Sequence, residues 1–233
     1  MATQAPVEPR PNSPAEVPAS SPDYPKEARQ DAVQTHDVQT RGNWRETARR
    51  LWLWPVMVLV SLPIAGFIAD LIVNGVDSVG TALAAGVIAG AIIGAAGWFV
   101  LRKHVSWLWI PATTAGMAVG LAAGAALADY GIGRGDLLLM GAVTGLGVGV
   151  LQALVLARHR IPGAFWWAVV NPPAWALGWL VTSYVITTNV KEQFPVFGAS
   201  GAIVFGLLTW FVLAMLFRAA THEDRGTPAI PAR

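Results

Sequence analysis

Two short motifs in this chain carry side chains of the kind hydrolases use. Gly133-Arg-Gly-Asp136, with Asp129 close before it, offers two carboxyl groups that could divide proton transfer, one as acid and the other as base. Gly198-Ala-Ser200-Gly201 offers a hydroxyl nucleophile, which needs a histidine base within hydrogen-bond reach. Asn171-Pro172-Pro173 offers binding rather than reaction. Its two prolines remove two backbone donors, so a helix interrupted there frees carbonyls that, with the Asn171 amide, could hold a polar solute. His104 and His159, beside Lys103 and Arg158, could form a paired pH sensor or a site for anionic groups. Asp70, Asp77, Asp129, Asp136 and Glu192 could ring a pore mouth and draw cations. The chain has no cysteine, which excludes disulfides, thiolate metal sites and cysteine nucleophiles.

The elements that would position these residues belong in a membrane. Hydrophobic residues make up 54% of the chain and charged ones 13%, against roughly 25% charged in a soluble domain, and the mean hydropathy is +0.49. Six windows have the length and apolar character of a bilayer span: 51–73, 78–101, 105–127, 137–157, 164–187 and 198–218. All six are expected to be transmembrane helices. The first apolar run begins at Leu51 and is too long for a cleaved signal, so the first helix is expected to remain as an anchor. Arg45, Arg49, Arg50, Arg102, Lys103, Arg158, Arg160 and Arg218 fall on alternate connections, and only Arg134 and Lys191 on the others. Positive charge is retained in the cytoplasm during insertion, so both termini are expected there. Residues 1–43, rich in proline (Pro6, Pro9, Pro11, Pro14, Pro18, Pro22, Pro25), are expected to be disordered, and 219–233 to form a short second tail.

Within the apolar windows the strongest pattern is glycine. Gly86-x3-Gly90-x3-Gly94 returns 55 positions on as Gly141-x3-Gly145-x3-Gly149, and Gly116-x3-Gly120-x3-Gly124 repeats the spacing in the third helix. Glycine at every fourth position clears one helix face for the close approach of another backbone, the means by which helices associate in lipid. A relaxed third copy follows, because Gly86, Gly94 and Trp98-Phe-Val-Leu101 reappear as Gly198, Gly206 and Trp210-Phe-Val-Leu213, with Ala202 between the glycines. Trp52-Leu-Trp54 likewise reappears as Trp107-Leu-Trp109, and Trp166-Trp167 opens the fifth helix. The expected domain is 44–218, built of three parallel helical hairpins, 44–104, 105–159 and 160–218. They are expected to close into a pseudo-threefold six-helix bundle, a row of packed hairpins being the alternative. Mitochondrial carriers share this layout, but their Pro-x-[Asp/Glu]-x-x-[Lys/Arg] signature is missing.

These elements weaken the hydrolase readings. Gly133 to Asp136 fits the Gly-x-Gly-Asp of intramembrane aspartyl proteases, yet Asp129 and Asp136 share a short loop instead of lying on facing helices, so Asp136 is expected to cap the fourth helix. Gly198 to Gly201 fits the Gly-x-Ser-Gly of rhomboid proteases, yet no helix follows to carry a base, and His36, His104, His159 and His222 lie in tails or basic loops. No enzymatic activity, cofactor or metal is expected. Asn171, Pro172 and Pro173, with Trp175 and Trp179 on one face beyond them, are expected to kink the fifth helix, a solute site there being the alternative. Gln152, three residues past Gly149, is expected to hydrogen-bond across the glycine contact. Trp44, Trp52, Trp54, Trp107, Trp109, Trp166 and Trp167 are expected to form an aromatic belt at the cytoplasmic edge.

Gly145-x3-Gly149-x2-Gln152-x3-Leu156-x-Arg158, followed by Trp167 and Gly178-Trp179, resembles a pattern in uncharacterised glycine-rich multi-pass bacterial membrane proteins. The resemblance spans the last two hairpins and implies a bacterial inner-membrane location without an activity. The expected function is a non-enzymatic scaffold or accessory subunit of a membrane complex. The alternative is a small-solute transporter or channel at Asn171. Expected partners are the bilayer, anionic headgroups at the cytoplasmic face, and a second copy or another membrane subunit, with no nucleic acid.

Overall fold

A computed structural model describes residues 50–185 and 198–223. The proline-rich tail, Trp44 to Arg49, Lys191, Glu192 and residues 224–233 lie outside the described residues. Among the described residues the chain is wholly helical: α1 (Leu53–Val73), α2 (Val79–Leu101), α3 (Trp109–Leu127), α4 (Arg134–Arg158), α5 (Phe165–Val185) and α6 (Ala199–Glu223). Each begins and ends within a few residues of its apolar window except α6, which continues past Arg218. Five helices are long and apolar enough to cross a membrane. The exception is α5, where Asn171, Pro172, Pro173 and four tryptophans lower the hydropathy of a segment whose length would suffice.

The ends of the helices are set by local chemistry. Ser78 and Thr81 form a capping box at α2, the Ser78 hydroxyl accepting from Thr81 N–H and the Thr81 hydroxyl from Ser78 N–H. Asp136 caps α4, its Oδ2 accepting from Gly133 N–H at 3.1 Å. Asn74, at φ 59°, closes α1 in the left-handed region, donating its N–H to the Asp70 carbonyl. The Asn-Pro-Pro sequence does not break α5, which runs unbroken from Phe165 to Val185. Pro172 and Pro173 cost two backbone donors, those that would meet the Ala168 and Val169 carbonyls, and the Asn171 side-chain amide donates to the neighbouring Trp167 carbonyl one turn back.

The helices close into a ring. Each packs on its sequence neighbours, and α6 returns to pack on α1; among the described residues no other pair of helices brings its backbones close. Along α2 small residues face the neighbouring helices and several large ones face outward. The buried positions include Ala82, Ala85, Gly86, Ala89, Gly90, Gly94 and Gly97, while Leu83, Val87 and Phe99 are exposed. On α1 the exposed row is Val56, Val60, Ile64, Phe67 and Leu71. Apolar surface on that scale is a liability in water and ordinary in lipid.

The glycine faces set the helix spacing. A Cβ added at Gly90 of α2 would lie 2.7 Å from Thr114 Cα on α3, and one at Gly145 of α4 would lie 2.7 Å from the Asn171 carbonyl oxygen on α5. On α3, a Cβ at Gly116 would lie 2.7 Å from Val148 Cα on α4. Backbone stands at each of these points, so nothing can rotate aside. Gly116→Ala is expected to lower stability by about 1–3 kcal/mol. Gly80→Ala, whose Cβ would meet nothing closer than Ser78 Oγ at 4.0 Å, is expected to be neutral or mildly stabilising. Thermal unfolding in detergent, followed by circular dichroism, compares them; equal midpoints would mean that close approach does not hold the ring.

Candidate functional site

The ring encloses a cluster of three tryptophans. Trp54 of α1, Trp109 of α3 and Trp167 of α5 are 4%, 0% and 1% exposed. Their ring centroids form a nearly equilateral triangle, 6.2 Å from Trp54 to Trp109, 5.9 Å from Trp54 to Trp167 and 6.0 Å from Trp109 to Trp167. The interplanar angles of 80°, 75° and 52° favour edge-to-face contact, in which the positive rim of one indole meets the negative face of the next. These three are therefore not part of an aromatic belt. Their neighbours Trp52, Trp107 and Trp166 are the exposed ones, and Trp52 stacks on Trp210 at 4.4 Å. Each pair of nearby tryptophans sends one ring inward and the other outward.

The indole N–H groups meet the even-numbered helices at one repeated position. Three residues beyond Gly94, Gly149 and Gly206 stand Gly97, Gln152 and Thr209. Trp54 Nε1–H donates to Thr209 Oγ1 at 2.9 Å, and Trp167 Nε1–H to Gln152 Oε1 at 2.8 Å. Gln152 in turn donates through Nε2 to Thr113 Oγ1 at 2.7 Å, and Thr113 donates to the Trp109 carbonyl at 2.7 Å. One side chain of α4 thus joins α3 to α5 through buried, mutually polarising bonds. At the third corner Gly97 supplies no side chain, and Trp109 Nε1 is buried with no hydrogen-bond partner. A buried donor left so costs about 1–3 kcal/mol.

Asn171 is fully buried against Gly149, where an added Cβ would lie 2.7 Å from the Asn171 Cβ, and its Oδ1 has no partner. Trp175 and Trp179 are also buried; Trp175 meets Phe205 at 5.1 Å, and Trp179 would obstruct a Cβ at Gly141, with its Cδ1 2.7 Å away. Pro172 Cα lies 2.9 Å from the position of a Cβ at Gly145, so this face of α5 is sealed by α4. Ser200 lies in the first turn of α6, while His104 and His159 stand in the loops that follow α2 and α4, so neither of these described histidines is placed as its base. Asp129, at φ 48°, stays in the loop before α4, and no group of three metal-ligating side chains occurs among the described residues.

The loops after α2 and α4 gather the histidines. His159 Nε2 accepts from Ser106 N–H at 2.9 Å, tying these two loops together. His104 stacks on Phe217 at 4.7 Å. Burial lowers the His104 pKa below its ordinary 6.5, and the positive charges of Arg50 and Lys103 lower it further.

These features define an architecture: an all-helical ring of the multi-pass membrane type, with lipid-suited outer faces and an aromatic core. The chain matches no protein-family model, no curated protein and no solved structure. Sequence reading missed the tryptophan core because tryptophans at helix ends usually mark a membrane edge. The signal that could have found it was the coincidence of Trp54, Trp109 and Trp167 with Gly97, Gln152 and Thr209 in one register.

Gln152→Leu leaves the Trp167 N–H without its acceptor and is expected to cost about 1–3 kcal/mol, read as a lower thermal midpoint; an unchanged midpoint would remove Gln152 from the core's support. The His104 shift has a definite sign. Its folded-state pKa lies below the unfolded one, so between the two values the unfolded chain holds a proton that the folded chain does not. Stability is expected to fall as pH drops through 6.5 towards the lowered value and to be unaffected by this group above 6.5. His104→Gln is expected to flatten that stretch of the stability–pH curve, and a curve identical to the parent's would contradict the assignment.

Proposed function

We propose that this chain is a six-span protein of a bacterial inner membrane, acting without enzymatic chemistry as a scaffold or accessory subunit of a membrane complex. The observation that carries this reading is the filled axis. Where a channel would conduct, three indoles stand about 6 Å apart. A body so packed offers its outer surface for work, and that surface is a set of bulky apolar faces suited to lipid or to another membrane helix.

In this reading α5 is the sixth span, its polar residues turned to neighbouring helices. The three hairpins 44–104, 105–159 and 160–218 are repeats about a pseudo-threefold axis through the tryptophans. The contacts of the third glycine in each even helix support this. Gly94 abuts Ile110 and Thr113, Gly149 abuts Ala168 and Asn171, and Gly206 abuts Pro55 and Val58. Each is one glycine against the positions one and four residues beyond an inward tryptophan. The glycine ladder of each even helix thereby joins one hairpin to the next. The basic residues Arg50, Arg102, Lys103, Arg158, Arg160 and Arg218 lie at ends and loops that would share the cytoplasmic face, where anionic headgroups would meet them, with both termini on that side.

One observation favours the alternative, a small-solute transporter: Asn171 Oδ1 is a buried acceptor with no partner. The two readings separate in reconstituted vesicles. The scaffold reading expects no movement of ions or small solutes by the purified protein, and Asn171→Ala to leave assembly intact. Solute uptake abolished by Asn171→Ala would replace it with the transporter. Gly90→Leu and Gly145→Leu are expected to break the bundle or its complex; a normal size and melting temperature in detergent would count against packing as the working principle. Purification in a mild detergent is expected to carry along a membrane partner, identified by mass spectrometry.

A further inference from the structure

Three corners of the tryptophan core are built alike, and one lacks a part. Trp54 finds its acceptor in Thr209, and Trp167 in Gln152, but the corresponding position beside Trp109 is Gly97. Trp109 is 0% exposed, and its Nε1 lies close to that glycine, at 2.8 Å from where a Cβ would stand. Trp109 and Gly97 both line a cavity of about 20 Å³, together with Ser61, Gln152, Trp54 and Trp167. One water needs roughly 10–15 Å³ and two to four polar partners.

We propose that the cavity is a binding site for a single water molecule, which accepts the Trp109 Nε1–H bond and takes the place that the Thr209 and Gln152 side chains fill at the other two corners. Two independent features meet here: a fully buried donor without a partner, and a space of the right size that its residue lines. The water's own protons have acceptors on the same wall. Ser61 carries a hydroxyl, and Gln152 Oε1 keeps a second lone pair after accepting from Trp167. A larger ligand does not fit the volume, and an apolar one would leave the indole donor bare. The glycine serves this site directly, because a side chain at position 97 would press on the indole nitrogen and narrow the cavity.

The test uses the full chain in lipid nanodiscs with its tryptophans labelled with nitrogen-15 on the indole ring. Trp54→Phe, Trp109→Phe and Trp167→Phe assign the core indole signals. If Trp109→Phe fails to fold, Trp109 is the signal displaced by Gly97→Ala that remains in Trp54→Phe, the added Cβ standing closest to these two rings. The expected result is a nuclear Overhauser contact between a long-lived water and the Trp109 Hε1 proton, with no such contact for Trp54 or Trp167, whose protons go to side chains. In Gly97→Ala that contact is expected to vanish while the Trp54 and Trp167 indole signals persist. An indole proton of Trp109 without any water contact would overturn the proposal. So would a contact of equal strength at all three core tryptophans, or one that survives Gly97→Ala unchanged.

Discussion

Three indole rings meeting at about 6 Å, two of the pairs edge to face and the third tilted, set the terms for everything else in this ring. They occupy the one place that no pair of helices can fill alone, the axis, and each comes from a different odd-numbered helix. The even-numbered helices stand between, and two of them reach in to accept an indole proton. The diameter of the ring is therefore fixed from inside by aromatic bulk, and its circumference by how closely neighbouring backbones approach. Glycine and tryptophan, the smallest and the largest side chains, divide the labour. Shrinking the centre or thickening the wall would both disturb the same geometry, because the wall must be thin for the triangle to touch.

The close approaches are directional in sequence. In α2 the glycine row faces α3, in α3 it faces α4, and in α4 it faces α5. The run from α2 to α5 is thus joined by three successive glycine faces. The closure through α6 differs: Gly201 lies against the Gly178 backbone, Gly206 meets the side chain of Val58, and Ala202 stands where a middle glycine would. Side chains rather than bare backbone fill more of that last seam.

Much of the fold was legible in the sequence for a plain reason: apolar runs of bilayer length have only one economical backbone conformation in lipid, so helix number and approximate limits follow from length and hydropathy. The glycine spacing told of close packing for an equally direct reason. What it did not give was the partner of each face, because a Gly-x3-Gly row is symmetrical with respect to the helices on either side. The fifth helix read as more interrupted than it is, since Pro172 and Pro173 announce lost donors, while the packing of α4 and α6 on either side of α5, which no local sequence signal reports, accompanies its unbroken course. The core was hidden by a genuine ambiguity. Trp52 and Trp54, or Trp166 and Trp167, differ in sequence by a position or two, yet one ring of each pair faces out and the other sits at the centre. Only the angular relation between helices decides which.

Ring closure by the last helix has a consequence in time. Synthesis runs from the amino terminus, and every other seam in the ring joins helices adjacent in the chain, so each can form as soon as its second member exists. The seam between α6 and α1 must wait. Until α6 arrives, the Pro55 and Val58 face of α1 has no helix to meet, and the Trp54 proton has no acceptor, because Thr209 lies 155 residues downstream. That bond is the last of the core hydrogen bonds the growing chain can complete, and a chain cut short of α6 would leave the first helix it made with an open side.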